Sequence, residues 1–172
     1  MTNCFMKRLL YILSCMLIVS SCIKDDPKGA DLIVGDRLPD FEVVMNDGTV
    51  VSDESLSGAV SVVMFFHTSC PDCRQALPHM QRIYDIYASK GVLFTLVSRE
   101  DKAKDVDAYW KEQGLEIPYS AQADRKIYEK FASSRIPRIY INDRNGIIRY
   151  IFTDDPVPSY DDLDSSIKSL IH

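Results

Sequence analysis

Apolar positions change period along the chain in a definite order, and each change predicts an element. Phe41 to Met45 and Thr49 to Ser52 flank Asn46-Asp47-Gly48. Asn, Asp and Gly tolerate the positive φ of a tight turn, so this stretch predicts a β-hairpin. Val60 to Phe66 is an unbroken apolar run rich in β-branched and aromatic residues, the mark of a strand covered on both faces. The period then becomes helical: Ala76, Leu77, Met80, Ile83, Tyr84 and Tyr87 recur at every third or fourth position, and Gly91 fits the C-terminal cap. Pro78 lies inside this pattern, where its missing N–H predicts a kink. Val92 to Val97 predicts a second buried strand. Residues 102–113 place Val106, Tyr109 and Trp110 on one helical face before Gly114, and Arg125 to Ala132 predicts a shorter helix. Ile139 to Ile141 and Ile147 to Phe152 flank Asp143-Arg144-Asn145-Gly146, a second hairpin, and residues 161–171 predict a last helix. A strand–helix–strand crossover requires parallel pairing and a hairpin requires antiparallel pairing. The prediction is therefore an α/β chain with a mixed central sheet, helices on both faces and an N-terminal β-hairpin.

Before residue 35 the pattern differs. Lys7 and Arg8 precede the apolar run Leu9 to Val19, and small residues follow, the layout of a secretory signal. The run is about 11 residues long, short of the roughly 20 that span a bilayer, although a retained membrane anchor is the alternative. Val19-Ser20-Ser21-Cys22 resembles the lipobox of bacterial lipoproteins. That resemblance implies a signal peptide over residues 1–21 and acylation of Cys22 on its sulfur and its new amino group. Residues 22–34, polar and containing Pro27 and Gly29, would then form a lipidated tether, and residues 35–172 the domain. Several acyl chains together anchor stably where one would not. Lys24-Asp25-Asp26 is similar to the acidic tag that sends some Gram-negative lipoproteins to the cell surface. The expected location is the envelope of a Gram-negative bacterium, with the lipid in the outer membrane and the domain on the periplasmic face or the cell surface.

Composition narrows the partners. The 172 residues carry a formal charge of −5 and no stripe of Lys and Arg, which argues against a nucleic-acid partner. Of the five cysteines, Cys4 and Cys15 would leave with the signal and Cys22 would carry lipid. Only Cys70 and Cys73 remain in the folded body, in a compartment where disulfides persist.

Cys70-Pro71-Asp72-Cys73 admits three readings. A zinc site needs four ligands, and there is neither a second cysteine pair nor an obvious complement among His67, His79 and His172, so no metal is expected. A structural disulfide across so short a loop stabilises by only about 2 kcal/mol. In the redox reading Cys70 lies at the mouth of the helix that follows a buried strand, where unpaired amides and the helix field favour a thiolate. Pro71 suits the first helical turn because its missing donor costs nothing there. Cys70 is then the attacking thiol, and Cys73, one turn deeper, resolves the mixed disulfide. No cofactor is required.

Phe65 to Pro78 resembles the active-site strand and helix of the thioredoxin superfamily. Gly35 to Phe41, the Asn46-Asp47-Gly48 turn and Leu56-Ser57-Gly58 resemble the start of its exported TlpA/ResA-type branch, and Ile136-Pro137, Ile139 to Asn142 and Gly146 resemble its cis-proline loop and terminal hairpin. The resemblance implies a thioredoxin-like three-layer sandwich and a thiol–disulfide oxidoreductase of the envelope. It implies that Pro137 is cis, with the Ile136 backbone facing the cysteines and pairing with an extended client segment beside Pro71 and Asp72. The partners would be protein dithiol or disulfide clients and, for a reductase, an upstream membrane dithiol donor. The chain departs from the family at three positions: Ser69 replaces a tryptophan, Met64 a buried aspartate, and Ala76 the glutamate of the cytochrome-maturation reductases. His67 either substitutes as a proton relay or packs at a strand end. Asp72 between the cysteines opposes a thiolate and favours a more reducing couple. Two further functions remain open: a thiol peroxidase, for which Thr68 stands one residue from the expected threonine, and a non-catalytic surface-binding lipoprotein on the same fold.

Overall fold

The computed structural model describes residues 31–171; the signal segment 1–21 and the lipidation candidate Cys22 lie outside them. Strands β1 (Glu42–Val44) and β2 (Val50–Ser52) pair antiparallel as the predicted hairpin, with Glu42 opposite Ser52. The turn closes with Gly48 at φ 86, a conformation that a Cβ would strain, and with Thr49 N–H donating to Asp47 Oδ1 at 2.9 Å. Helix α1 (Asp53–Leu56) follows directly. Its four residues are held by a reciprocal cap between Ser52 and Ser55, a signal too short to register as a period in the sequence.

Strand β3 (Ser61–Phe66) is buried at all six positions and leads into α2 (Pro71–Tyr87), which runs through Pro78 as one element. A 3₁₀ turn at Ala88–Lys90 and the left-handed Gly91 end it. Strand β4 (Leu93–Ser98), α3 (Ala103–Gln113) and the two-residue β5 (Tyr119–Ser120) come next. The hairpin of β6 (Arg138–Asn142) and β7 (Ile148–Phe152) and helix α4 (Tyr160–Lys168) complete the chain. The main sheet has the order β5-β4-β3-β6-β7. β3, β4 and β5 are parallel, while β6 and β7 run antiparallel to their neighbours. This is the mixed sheet of a thioredoxin-like α/β fold, with the two-stranded sheet at its N-terminal end.

Alternation along β3 sorts the core. Met64 and Phe66 pack with Cys73, Leu77 and Met80 of α2, with Val106 and Trp110 of α3, and with Leu163 and Ile167 of α4. Val63 and Phe65 pack on the other side with Val43, Met45, Leu56, Tyr128 and Phe131. Each such side chain contributes about 1.5–3 kcal/mol by leaving water, so the central strand is fixed from both faces.

The second face corrects one expectation. Arg125 to Ala132 is not an α-helix but a 3₁₀ turn at Tyr128–Lys130. Lys130 N–H donates to Ile127 O at 3.2 Å and Phe131 N–H to Tyr128 O at 2.9 Å, three residues back. Glu129 N–H to Arg125 O at 2.8 Å and Ala132 N–H to Tyr128 O at 3.0 Å each reach four back, so the segment forms tight single turns and no α-helical run. The three-residue spacing puts Tyr128 and Phe131 on the same side. Their rings meet Phe65 at centroid distances of 5.3 and 4.8 Å. The segment is too short to propagate an α-helix in its own right, and the aromatic contacts decide its winding. Ahead of residue 35, Leu32 N–H donates to Phe131 O at 2.9 Å and Asp31 pairs with Arg138 at 2.9 Å, which fastens these two residues to the fold.

Candidate active site

At the end of β3 the chain turns through His67, Thr68 and Ser69 into α2. Cys70 N–H donates to His67 O at 3.0 Å, which closes that turn and makes Cys70 the N-cap of the helix. Its sulfur accepts the Cys73 N–H at 3.4 Å, and Pro71 occupies the first helical turn without leaving a donor unpaired. The Cys73 amide in the first turn of α2 thus points at the Cys70 sulfur, at the positive end of the helix dipole. Cys70 is half-buried, whereas Cys73 is wholly buried beneath it, and both are free thiols. Burial first, and then hydrogen bonding with the Cys70 sulfur, pushes the Cys73 thiol far above its ordinary value. The His67 backbone N–H and the charge of Arg99 pull against that rise.

The Ile136–Pro137 peptide is cis, and Ile136 O lies 3.5 Å from the Cys70 sulfur, which donates to it. Residues 70 and 136 are thus brought together across 66 positions of sequence. Pro71 is exposed and Asp72 half-exposed on the first turn of α2, beside the sulfur.

His67 is placed differently from a relay aimed at the cysteines. Its Nδ1 accepts the Ser69 N–H at 3.1 Å with the Ser69 hydroxyl 3.0 Å away, and its Nε2 lies 3.3 Å from Asp101 Oδ1. Among the described residues no hydrogen bond joins its ring to either sulfur. Met64 and Ala76 are buried and apolar, so the acid near the site comes from elsewhere: Asp101, in the loop between β4 and α3, is 5% exposed. Sequence reasoning missed Asp101 and Arg99. Their signal was the predicted parallel pairing of the two buried strands, which sets Phe66 opposite Ser98 and so carries the residues after Ser98 alongside His67 and Thr68.

A family model described as AhpC/TSA matches residues 34–151. The chain belongs to the AhpC/TSA family. Within that family it is a thioredoxin-like thiol–disulfide oxidoreductase. The thiol-disulfide oxidoreductase ResA of Oceanobacillus iheyensis is 28% identical over 147 residues, 83% of this chain and 76% of that protein. A thioredoxin-family thiol:disulfide interchange protein of Chlorobium tepidum is 27% identical and superposes with a TM-score of 0.70 over 83% of this chain and 100% of that one. The thioredoxin domain of a thiol-disulfide oxidoreductase from Bacteroides vulgatus shares the fold alone, at 21% identity and a TM-score of 0.71, over 83% of this chain and 100% of that one. The AhpC/TSA match ends before α4.

Proposed function

We propose that this protein exchanges its Cys70/Cys73 dithiol with protein disulfides at the bacterial envelope, through a mixed disulfide. The single observation that carries the reading is the half-buried Cys70 sulfur at the head of α2, within 3.5 Å of Ile136 O and directly over the buried Cys73. In the reducing direction the Cys70 thiolate attacks one sulfur of a client disulfide. The other client sulfur leaves and takes up a proton. Cys73 then loses its proton and attacks the Cys70 sulfur, which forms the intramolecular disulfide and releases the second client sulfur as a thiol. Two electrons pass to the client, and an upstream membrane dithiol restores the pair. An extended client segment pairs with the Ile136 backbone and lies over Pro71 and Asp72. Lipid on Cys22 holds the domain to the envelope, and the tether joins it close to the Ile136 loop.

The thiol-peroxidase reading needs a threonine hydroxyl at the attacking sulfur. The Thr68 hydroxyl donates instead to Asp101 Oδ1 at 3.1 Å, so the exchange reading is the better supported. Trapping tests it. Cys73→Ser cannot resolve and should accumulate mixed disulfides with protein partners, while Cys70→Ser should accumulate none. A Cys73→Ser protein that forms no adducts would overturn the mechanism.

A further inference from the structure

Asp101 is a buried carboxylate whose hydrogen-bond donors all belong to the loop before Cys70. Its Oδ2 accepts the Thr68 N–H at 2.9 Å, and its Oδ1 accepts the Thr68 hydroxyl at 3.1 Å and faces His67 Nε2 at 3.3 Å. Among the described residues no Lys or Arg forms an ion pair with it. A carboxylate this far from water persists only where donors replace its hydration. The loop supplies those donors, so carboxylate and loop hold each other in place.

The partners of His67 assign its tautomer. A ring nitrogen that accepts a backbone N–H carries no proton, so Nδ1, facing Ser69 N–H, is bare and the proton of the neutral ring lies on Nε2, facing Asp101. Two lines of bonds then run from Asp101 to the residue preceding Cys70: one through Thr68, and one through the His67 ring to Ser69. The backbone is bent to permit this. Glu100, between Arg99 and Asp101, adopts φ 66, a left-handed conformation that is unfavourable for a non-glycine residue and that recurs where local structure is held for a purpose. On its N-terminal side the turn is pinned by Arg99 N–H, which donates to Phe66 O at 2.8 Å.

We infer that Asp101 is a positioning residue for disulfide exchange, fixing through Thr68 and His67 the loop that presents the Cys70 sulfur. It deepens the exchange reading and rests on Cys70 being the attacking atom. Attack on a disulfide requires three sulfurs nearly in line, and a displacement of about 1 Å at such a centre can slow a reaction on the order of a hundredfold. The position matters more here because the usual strand and helix acids are replaced by Met64 and Ala76. Asp101 reaches the site from the side, across the top of the parallel pair β3 and β4.

The test compares the full chain with Asp101→Asn, which keeps one acceptor for Thr68 but removes the charge and the second strong acceptor. Insulin, with dithiothreitol as recharging thiol, is the probe. The maximal rate of insulin reduction should fall about tenfold, while the half-saturating insulin concentration stays within about twofold, because Asp101 makes no contact with the Ile136 loop that receives the client. In parallel, ¹⁵N spectra of the wild type should show His67 protonated on Nε2, and the Nε2 resonance should move in the variant, because the carboxylate it faces is gone. A maximal rate within twofold of wild type, or an unmoved His67 Nε2 resonance, overturns the inference. Should Asp101→Asn fail to fold, Thr68→Val removes one donor alone: a fall of about threefold in maximal rate supports the inference, and an unchanged rate refutes it. A wild-type protein inert toward insulin would instead overturn the exchange reading itself, whatever the His67 tautomer.

Discussion

Two loops flank the Cys70 sulfur, and each is fastened by a carboxylate distant in sequence. On one side Asp101 accepts from Thr68, 33 residues away; on the other Asp31 accepts the Ser133 N–H at 2.7 Å and its hydroxyl at 2.8 Å, 102 residues away, and pairs with Arg138. They differ in exposure. The Asp101 side chain is 5% exposed and has no cationic Lys or Arg partner among the described residues, while that of Asp31 is 33% exposed and meets the buried Arg138 guanidinium. Water can replace the partners of Asp31 but not those of Asp101. The loop that carries Cys70 is therefore locked, and the loop that carries Ile136 is only latched.

Removing both carboxylates in turn should break the comparison most plainly. Asp101→Ala leaves the Thr68 N–H and hydroxyl without an acceptor in a half-buried loop and should cost about 2–3 kcal/mol, against about 1 kcal/mol for Asp31→Ala, as measured by urea unfolding. Equal losses would show that burial does not separate the two loops. Acid then sharpens the contrast. Partial burial pushes the Asp31 carboxyl up, but the Ser133 hydrogen bonds and the Arg138 guanidinium outweigh it and hold the group below its ordinary value. A carboxylate with a lowered folded value stabilises the fold above its unfolded value and loses that contribution as pH falls through the folded one. The gap in unfolding free energy between wild type and Asp31→Asn should thus be full at pH 7 and close in acid; a gap that widens in acid would contradict the assignment. The smallest effect concerns strain. Each fastening sits next to one left-handed non-glycine residue, Glu100 at φ 66 and Arg135 at φ 72. Glu100→Gly and Arg135→Gly should each raise stability by about 0.5–1 kcal/mol through relief of that conformation, and a loss at either position would indicate that its side chain matters more than its backbone.

Much of this was legible in the sequence because single periods dictate single elements. The apolar run ending at Phe66, the Cys70-Pro71-Asp72-Cys73 helix start and the Asn46-Asp47-Gly48 turn each have a local physical cause, and each appears where that cause places it. Tyr119–Ser120 escaped notice because a two-residue strand has no measurable period. Arg125 to Ala132 was misread as an α-helix because its winding is set by Phe65, a residue far away in sequence. Asp101 was missed for a related reason. Nothing in Arg99-Glu100-Asp101 marks a buried acid until the parallel register of β3 and β4 lays that loop against Thr68. His67 stands out in the sequence only by its place three residues before Cys70, and its partners, Ser69 and Asp101, are assigned only in three dimensions.

The central claim is that α2 presents one sulfur to solvent and hides the other. Alkylation of the reduced, folded full chain with a small thiol reagent, followed by mass-spectrometric location of the adduct, tests it directly. Cys70 should be modified at least about a hundredfold faster than Cys73, since one sulfur lies at the open end of the helix and the other is buried with its thiol held protonated. Comparable rates at the two positions, or no reaction at Cys70, would contradict the account.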